Sequence, residues 1–529
     1  MKKIYIILAT LLVTGLSSCD MEKYPYSSVE ESQYLATMND FTNARIGIYS
    51  YYRSITTGGY ILTPELQCDD FHATAGFSNS YGNQYRWDFQ SSDGNVEGVW
   101  QNHYAHIARC NYFIDGYNKV LDGTVTDLSD ANKELIAAYA GEAYFTRAYN
   151  YFQLVGYFCK AYNPATAESD LGLPLQLVYS PTSDASAYPG RSSLKATYEQ
   201  ILSDLTEAKK LVNASKTVTQ AQNVLNYISQ DIVTAFQARV ALQMKDYTTA
   251  ISNSTSLINT GKYPLLNSED GGEAFRNMWV KDTGSEVIWQ IYMSADELGS
   301  ATGTSFWGQY KKDDPSSQVM DYIPSQKLID LYEQDRDIRF AAYFAPFTLK
   351  VSTGATGDIY VFDKYPGNPD IYNVVSVDNH YTNKSKPFRI SEQYLIAAEA
   401  YVGNNDIVNG AKYLNLLRAS RLVDYVDVTY NSPNTLLADI QDERHKELVG
   451  EGFRLTDLKR WGLGVNREDA TQDAALVLLP GGTNTTALTK TADDFRMVWP
   501  IPKSETDVNP QIKGQQAFDL RINVCFRFR

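Results

Sequence analysis

The most regular feature of the chain is a helical spacing of its hydrophobic positions. Apolar and small residues recur every three or four positions from Ala137 to Val155, and the same spacing returns from Tyr198 to Val212. A period near 3.6 residues places such positions on one face of an α-helix and the polar residues on the other. Both stretches therefore predict long amphipathic helices that pack against a core.

Two later stretches predict pairs of antiparallel helices of the tetratricopeptide type. In residues 391–421, small side chains such as Ala398 and Gly410 stand where two helices must approach closely. Residues 230–261 follow the same pattern, although Ser254 stands where a large apolar residue is usual. The two stretches are not separated by a step of roughly 34 residues, so we expect a mainly α-helical scaffold with insertions rather than a regular solenoid.

Two regions, about 56–98 and 264–390, have the composition of long loops. They are rich in Gly, Ser, Asp, Asn, Pro and aromatic residues, and neither has a long helical period. Short alternating runs at 286–292 and 358–362 predict strands within the second region. Long loops in compact proteins are either functional or disordered. The density of Trp and Tyr favours ordered, functional insertions.

The N-terminus has the layout of a secretory signal. Lys2 and Lys3 precede the mostly apolar run from Ile4 to Leu16, which is too short to span a bilayer. Small residues then lead to Cys19, as in a bacterial lipobox. We therefore predict that residues 1–18 are a lipoprotein signal peptide and that Cys19 is acylated; an ordinary signal peptide containing a cysteine is the alternative.

Composition narrows the possible partners. The 62 acidic residues outnumber the 47 basic ones, which gives a net charge of −15 and makes nucleic acid an unlikely partner. The 39 Tyr, 7 Trp and 21 Phe supply more ring surface than a core of this size needs, so some rings should lie at wet interfaces or sugar-binding surfaces. The spacing of the five cysteines fits no zinc motif.

Catalytic signatures are absent from the sequence. It contains no nucleophile elbow, dinucleotide fingerprint or phosphate loop. His103 and His106 share one helix face and could in principle hold a metal, but their neighbours favour a core position. Glu443, Glu447 and Glu451 lie one helical turn apart, and we interpret them as part of a structural network with nearby arginines, Arg444, Arg454 and Arg460 among them, rather than as glycosidase acids.

Several segments, taken in order, resemble the SusD/RagB family of outer-membrane nutrient-binding lipoproteins. They include Gly-Glu-Ala-Tyr-Phe-Thr-Arg-Ala-Tyr-Asn-Tyr-Phe at 141–152 and Asp-Leu-Lys-Arg-Trp-Gly at 457–462. The remaining segments are the lipobox at Cys19, residues 392–401, 443–454 and 499–505, and the pair Asn509 and Pro510. Each motif is weak alone, but their order covers nearly the whole chain.

The resemblance implies a fold, a location and a role. It implies four tetratricopeptide-like units under a loop-rich portion, so that residues 19–529 form a single SusD-like domain. It also implies a lipid anchor on the outer face of the outer membrane and a partner, a TonB-dependent SusC-like transporter. Members of the family bind oligosaccharide or polysaccharide, and sometimes peptide, and pass the cargo on without cleaving it. No enzyme activity, cofactor or metal is implied.

Ligand-binding residues vary within this family, so we select candidates from their chemistry. Rings stack on the C–H faces of sugars, while carboxylates, amides and guanidinium groups bind hydroxyls. Trp289 and Trp461 lie in a strand pattern and a helical motif, and we expect both in the core. Asp69 and Asp70 open the first insertion, where Asp70 could equally cap a turn. The candidate ligand-binding residues are Asp70, Tyr81, Arg86, Trp87, Trp100, Asn102, Trp307 and Tyr310.

Three other interpretations remain open on the sequence. The protein could capture peptides or glycoproteins, serve as a tetratricopeptide-type interaction scaffold without a small ligand, or hydrolyse glycans with an unrecognised pair of carboxylates. The C-terminus also departs from the family pattern, because residues 520–528 alternate between apolar and polar positions. An added edge strand, a divergent tail or a change of reading frame would each explain that alternation.

Overall fold

The structure is a computed structural model that describes residues 35–217, 223–297, 320–371, 381–467, 470–478 and 488–515. Four sequence predictions concern residues outside these ranges: the signal peptide with Cys19, Trp307, Tyr310 and the alternating tail.

The described chain is mainly α-helical, as the spacing of apolar residues predicts. The helices are α1 (Met38–Ile55), α2 (Gly59–Gln67), α3 (Gly82–Arg86), α4 (Gly94–Leu121), α5 (Asp130–Phe158), α6 (Leu194–Leu211), α7 (Ala214–Thr217), α8 (Gln230–Gln243), α9 (Tyr247–Asn259), α10 (Glu273–Val280), α11 (Gln326–Asp330), α12 (Ile338–Tyr343), α13 (Ile390–Gly403), α14 (Ile407–Arg421), α15 (Pro433–Leu448), α16 (Arg454–Trp461) and α17 (Lys503–Val508).

The long helices pack in a continuous array. Helix α1 lies on α4, α4 on α5, and α5 on α6, after which α8 and α9 continue the array. The predicted faces of α5 and α6 are buried in one core, with Phe145, Ala148 and Leu205 fully enclosed. A methyl group on Gly141 would lie 2.6 Å from the backbone nitrogen of Val212, so the end of α6 can approach α5 only because residue 141 has no side chain.

The two predicted helix pairs are confirmed as α8–α9 and α13–α14. Although the second insertion separates them in sequence, α9 packs directly on α13, so the array is continuous in space. Gly410 allows α14 to approach α13, because a methyl group there would lie 2.9 Å from Val402 and 3.1 Å from the carbonyl oxygen of Ala398. Ser254, the exception in the pattern, is buried and donates its hydroxyl to the carbonyl of Ala250 at 2.6 Å.

Short strands tie the insertions to this array. The strands are β1 (Phe71–Ala73), β2 (Leu171–Pro174), β3 (Arg191–Ser193), β4 (Val287–Trp289), β5 (Tyr322–Pro324), β6 (Phe344–Lys350), β7 (Thr356–Phe362), β8 (Phe388–Arg389), β9 (Val465–Arg467) and β10 (Leu488–Lys490). They form the antiparallel pairs β1–β5, β2–β3, β4–β8, β6–β7 and β9–β10. Both predicted strand runs are confirmed by β4 and β7. The first insertion is less irregular than expected, since it contains α2 and α3.

A buried ion network joins the second insertion to α14 and α15. Glu443 pairs with Arg418 at 2.7 Å and Arg339 at 2.7 Å, and Glu447 with Arg421 at 2.9 Å and Arg389 at 2.8 Å. The predicted structural network therefore exists, but the expected partners were wrong. Arg444 instead pairs with Asp457, Arg454 with Asp69, and Arg460 with Asp457 and Glu399. The true partners come from distant segments, which local spacing does not reveal.

His103 and His106 lie in the core, as their neighbours in the sequence predict. Both side chains are fully buried, and Asn150 bonds to Nδ1 of His103 at 2.8 Å and Nδ1 of His106 at 3.1 Å. Burial lowers the pKa of His103 to about 4 and that of His106 to about 3, so both rings are neutral in the folded protein.

Two further features of the described ranges are the state of the cysteines and the hydrophobicity of the helices. Cys68, Cys110 and Cys159 are buried and unbridged, consistent with small hydrophobic core residues. Across the parts of the chain that the structure describes, no helix has the length and hydrophobicity needed to cross a bilayer.

Candidate functional site

The loop that carries three of the candidate residues has a strained backbone. Asn79, Tyr81 and Trp87 adopt positive φ angles of 67°, 56° and 61°, a left-handed conformation that side chains other than glycine rarely take. Such residues cost free energy, and they cluster where a structure must hold a side chain in a particular orientation. Three within nine positions mark this loop as a candidate functional surface.

Arg86 is held on the outer side of this loop by polar neighbours. Its guanidinium donates to the side-chain oxygens of Asn79 at 2.8 Å, Asp88 at 3.2 Å and Asn83 at 3.3 Å. Asn79, Asn83 and Asp88 are exposed, while the Arg86 side chain is 14% exposed. The loop therefore offers amide and carboxylate groups in fixed positions, and the charge of Arg86 is balanced by Asp88.

Tyr81 and Asn102, distant in sequence, both lie near Tyr60. The Asn102 amide donates to the hydroxyl of Tyr60 at 2.6 Å, and the hydroxyl of Tyr51 donates to the Asn102 carbonyl oxygen at 3.1 Å. The hydroxyl of Tyr81 closes the gap to this group, since a methyl group on Gly59 would lie 2.7 Å from it. We call Tyr51, Tyr60, Tyr81, Arg86 and Asn102 together the loop face.

The loop face combines apolar rings with hydrogen-bonding groups. All five of its residues are only partly exposed, so their positions are held by packing. Burial raises the pKa of Tyr60 to about 12, which keeps its hydroxyl protonated and able to donate near neutral pH. Asn102 uses one amide hydrogen and one carbonyl lone pair in the bonds described, and an amide side chain has a second of each. The face can therefore bind a polyhydroxylated ligand with an apolar side.

The described residues on either side of the 298–319 segment contact positions that are close in sequence to the loop face. Ser78 donates its backbone N–H and its hydroxyl to the Asp321 carboxylate, each at 2.5 Å, and the hydroxyl of Tyr322 donates to the Ser80 carbonyl at 2.7 Å. At the other end, Arg53 pairs with Glu297 at 2.9 Å. Trp307 and Tyr310 belong to that segment, outside the described residues, so their role stays a prediction.

Trp87 and Trp100 lie in the interior, contrary to the expectation that they face a ligand. Trp87 is fully buried and donates its indole N–H to the Gln67 carbonyl at 2.6 Å. Its left-handed backbone turns it inward, beside Leu455 and Met497. Trp100 is 3% exposed, and its ring packs edge-on against Phe158 at 4.9 Å. Neither ring offers a face on which a sugar could stack.

Asp70 and Asp69 are also interior groups. Asp70 is 1% exposed and accepts a hydrogen bond from Nε2 of His445 at 2.5 Å. Asp69 accepts from Nε and Nη2 of Arg454, both at 2.9 Å, and from Lys327 at 3.2 Å. Asp69, Asp70 and His445 approach closely enough to hold a metal ion, but the positive charges of Arg454 and Lys327 oppose a cation there.

A second surface, which the sequence analysis did not identify, is a groove of about 780 Å³. One wall comes from the segment after α5, which contains Tyr162, and the other from the end of α16 and from residues 492–498, with Trp461 and Phe495. We call this the C-terminal groove. Trp461, predicted to lie in the core, is partly exposed here. Its helical motif indicated a buried ring because sequence spacing does not show that α16 ends at the surface.

Two family models match the chain. Residues 348–518 match the model described as "SusD family", and residues 22–242 match the model described as "Starch-binding associating with outer membrane". Similar curated proteins include SusD-like protein P2 of Formosa agariphila, 24% identical over 502 residues, which span 88% of this chain and 92% of that protein. SusD-like protein P25 of the same organism is 21% identical over 97% of this chain and 98% of its own length.

Solved structures share the whole architecture. A SusD superfamily protein from Bacteroides thetaiotaomicron superposes with a TM-score of 0.74 and 26% identity, over 91% of this chain and 99% of that one. A structure described as surface glycan-binding protein A from Bacteroides fluxus superposes with a TM-score of 0.64 and 20% identity, over 89% of this chain and 97% of that one. At 20% identity, the similarity to the Bacteroides fluxus protein shows a shared fold and no more.

Proposed function

This chain belongs to the SusD/RagB family, and from that premise we propose that it is a non-catalytic glycan receptor of the outer membrane. It captures an oligosaccharide or polysaccharide outside the cell and delivers it to a TonB-dependent SusC-like transporter. The description of one matching model as starch-binding and outer-membrane-associated supports this proposal, as does the glycan-binding description of one structural neighbour.

The observation on which the proposal rests is the chemistry of the loop face. Tyr51, Tyr60 and Tyr81 present partly exposed rings, and Asn102 links the first two through hydrogen bonds. Sugars have apolar C–H faces that pack on rings and hydroxyls that exchange hydrogen bonds with amides and tyrosine hydroxyls.

Two guanidinium groups near this face are already paired with acids. Arg86 is balanced by Asp88, and Arg53 by Glu297. A sulfated or carboxylated sugar would have to compete with these acids for the guanidinium groups. Sugar hydroxyls, in contrast, can bind beside a salt bridge without separating its two charges.

Three buried acids with shifted pKa values, Glu443, Glu447 and Glu65, do not fit the roles of a glycosidase pair. Burial works to raise the pKa of Glu443 and of Glu447, but neighbouring arginines outweigh it and hold both pKa values well below the ordinary range. Burial and the charge of Asp70 raise the pKa of Glu65 to about 8, as in a general acid, but Glu65 lines a cavity of only about 10 Å³. A glycosidase needs two carboxyl groups beside a sugar and a water.

Anchoring and delivery complete the proposal. Cys19 becomes the acylated first residue of the mature protein, and two or more acyl chains hold it at the outer membrane. The SusC-like transporter is the receiving partner. Co-purification of a TonB-dependent barrel with the tagged, membrane-extracted protein is the expected result; recovery of the protein without any barrel would contradict the delivery step.

Affinity electrophoresis tests the binding step. The purified chain lacking residues 1–19 is run through native gels containing amylopectin, xylan, galactomannan or arabinan, and we expect retardation in at least one. Tyr81→Ala with Asn102→Ala should weaken binding on the order of tenfold or more, since one stacked ring and one hydrogen bond are lost. Ala keeps a Cβ at the left-handed position, so the backbone cost at residue 81 is unchanged.

Tyr179→Ala is the matched control, because Tyr179 is an exposed tyrosine that belongs to neither surface. Trp307→Ala tests the prediction for the 298–319 segment in the same gels. Binding to a digested-protein panel but to no polysaccharide would support peptide capture instead. Release of reducing ends from any polysaccharide would show an enzyme.

A further inference from the structure

We propose that the C-terminal groove is a second binding site for oligosaccharide on the same chain. The inference rests on the proposed function, since it assumes that the protein binds glycans, and it adds a site that the sequence analysis did not predict. Its argument comes from the size, the rings and the polar groups of the groove.

The groove has the dimensions of a ligand site. Its volume of about 780 Å³ lies within the range of roughly 300–1,000 Å³ that small-molecule sites occupy. Its walls come from opposite parts of the chain, because residues 158–171 face residues 459–462 and 492–498. A cleft between two such segments is shaped by the whole fold rather than by one flexible loop.

Three aromatic rings line the groove and each is held in place. Tyr162 packs edge-on against Tyr198 with ring centroids 4.9 Å apart. Trp461 donates its indole N–H to Glu399 at 3.1 Å. Phe495 lies 5.0 Å from the guanidinium of Arg496. Rings that are fixed before binding lose little freedom when a sugar stacks on them, which favours affinity.

The polar groups around these rings are held in place by ion pairs and hydrogen bonds. Lys160 and Asp170 form an ion pair at 2.8 Å, and Asp494 is paired with Arg496 at 3.0 Å. The ammonium of Lys459 donates to the carbonyls of Gly156 and Cys159, both at 2.7 Å. A sugar hydroxyl can donate to Asp170 and accept from Lys160 together. The arrangement suits a ligand that carries many hydroxyl groups.

The two proposed sites are separate. No residue of the loop face lines the C-terminal groove. A long glycan bound at one site raises the effective concentration of its other units at the second, so two modest sites hold a polymer more tightly than either alone. Short oligosaccharides would gain nothing from this effect, which gives the proposal a distinct signature.

Isothermal titration calorimetry with oligosaccharides of six or so units tests the proposal, using the glycan that the gels identify. The wild-type chain should bind two ligands per molecule. Tyr162→Ala with Phe495→Ala should remove one, and Tyr81→Ala with Asn102→Ala should remove the other. Retardation by the parent polysaccharide should weaken on the order of tenfold in the groove variant.

A second groove variant controls for loss of binding through misfolding. Ala492 is exposed and lines the groove, so Ala492→Trp fills it without removing any contact. It should also reduce the stoichiometry to one, while Tyr179→Ala keeps it at two. A stoichiometry of one in the wild type, unchanged by both groove variants and lost with the loop-face variant, would overturn the second site and leave the proposed function intact. Failure of every chain to bind any glycan would overturn both.

Discussion

Glu447 offers the sharpest test of how the loop-rich part is joined to the helical array. Its carboxylate is fully buried and accepts hydrogen bonds from Arg421 at 2.9 and 3.0 Å, Arg389 at 2.8 Å and Arg339 at 3.1 Å. Glu447→Gln keeps the shape of the side chain but removes the negative charge, and it turns an N–H group toward the guanidinium cluster. Removing one partner of a buried ion pair costs about 3–5 kcal/mol.

This cost converts into a measurable change in melting temperature. An unfolding entropy of about 2.1 cal/mol/K per residue gives roughly 1 °C per kcal/mol for a chain of this length that unfolds as one unit. We therefore expect differential scanning calorimetry near neutral pH to show Tm lowered by about 3–5 °C. Glu333→Gln is the matched control, because Glu333 is 56% exposed and pairs with Arg336 at the surface, where an ion pair contributes about 1 kcal/mol or less.

The pH dependence checks the same reasoning independently. Burial acts to raise the pKa of Glu447, yet the charges of Arg421 and Arg389 outweigh it and hold this pKa well below 4.5. An acid whose pKa is lowered on folding stabilises the protein above its unfolded pKa and loses that contribution as the pH falls below it. Wild-type Tm should therefore fall more steeply below about pH 4.5 than the Tm of Glu447→Gln. Equal Tm values for the wild type and Glu447→Gln near neutral pH, together with parallel acid profiles, would refute the account of the network.

Three further predictions address other parts of the molecule. Gly410→Leu should lower Tm by about 1–3 °C in thermal denaturation, because its side chain would push α14 away from Val402 and Ala398; an unchanged Tm would contradict the close helix contact. In NMR titrations, the ring signals of His103 and His106 should not titrate between about pH 8 and pH 5, since burial lowers both pKa values; a midpoint near 6.5 would show exposed rings. Cys19→Ala should move the protein from the membrane pellet to the soluble fraction after cell lysis, and retention in the pellet would contradict lipid anchoring.

The helical part of the fold could be predicted from the sequence because its signals are local. The spacing around Ala137 to Val155, and small residues such as Gly410, report directly on helix faces and helix contacts. The partners of the buried acids could not be predicted in this way. Arg339 and Arg389 come from positions 108 and 58 residues before Glu447, and only the packed structure brings them together.

The exposure of the candidate residues could be predicted only in part, for an equally physical reason. Tyr81, Arg86 and Asn102 are partly exposed, whereas Trp87, in the same loop as Tyr81 and Arg86, is buried. What separates Trp87 from Arg86 is a left-handed backbone at residue 87 and an acceptor at the carbonyl of Gln67, neither of which residue spacing reveals. The surface position of Trp461 depends on where α16 ends relative to residues 492–498, and this is a property of the tertiary structure.

The most direct test of the receptor proposal is a crystal structure of the chain with the shortest oligosaccharide that binds in the gels. We predict a sugar ring packed against Tyr81, with one of its hydroxyls within hydrogen-bonding distance of Asn102. Well-defined sugar elsewhere on the molecule, with a loop face that is accessible in the crystal but empty, would contradict the proposal.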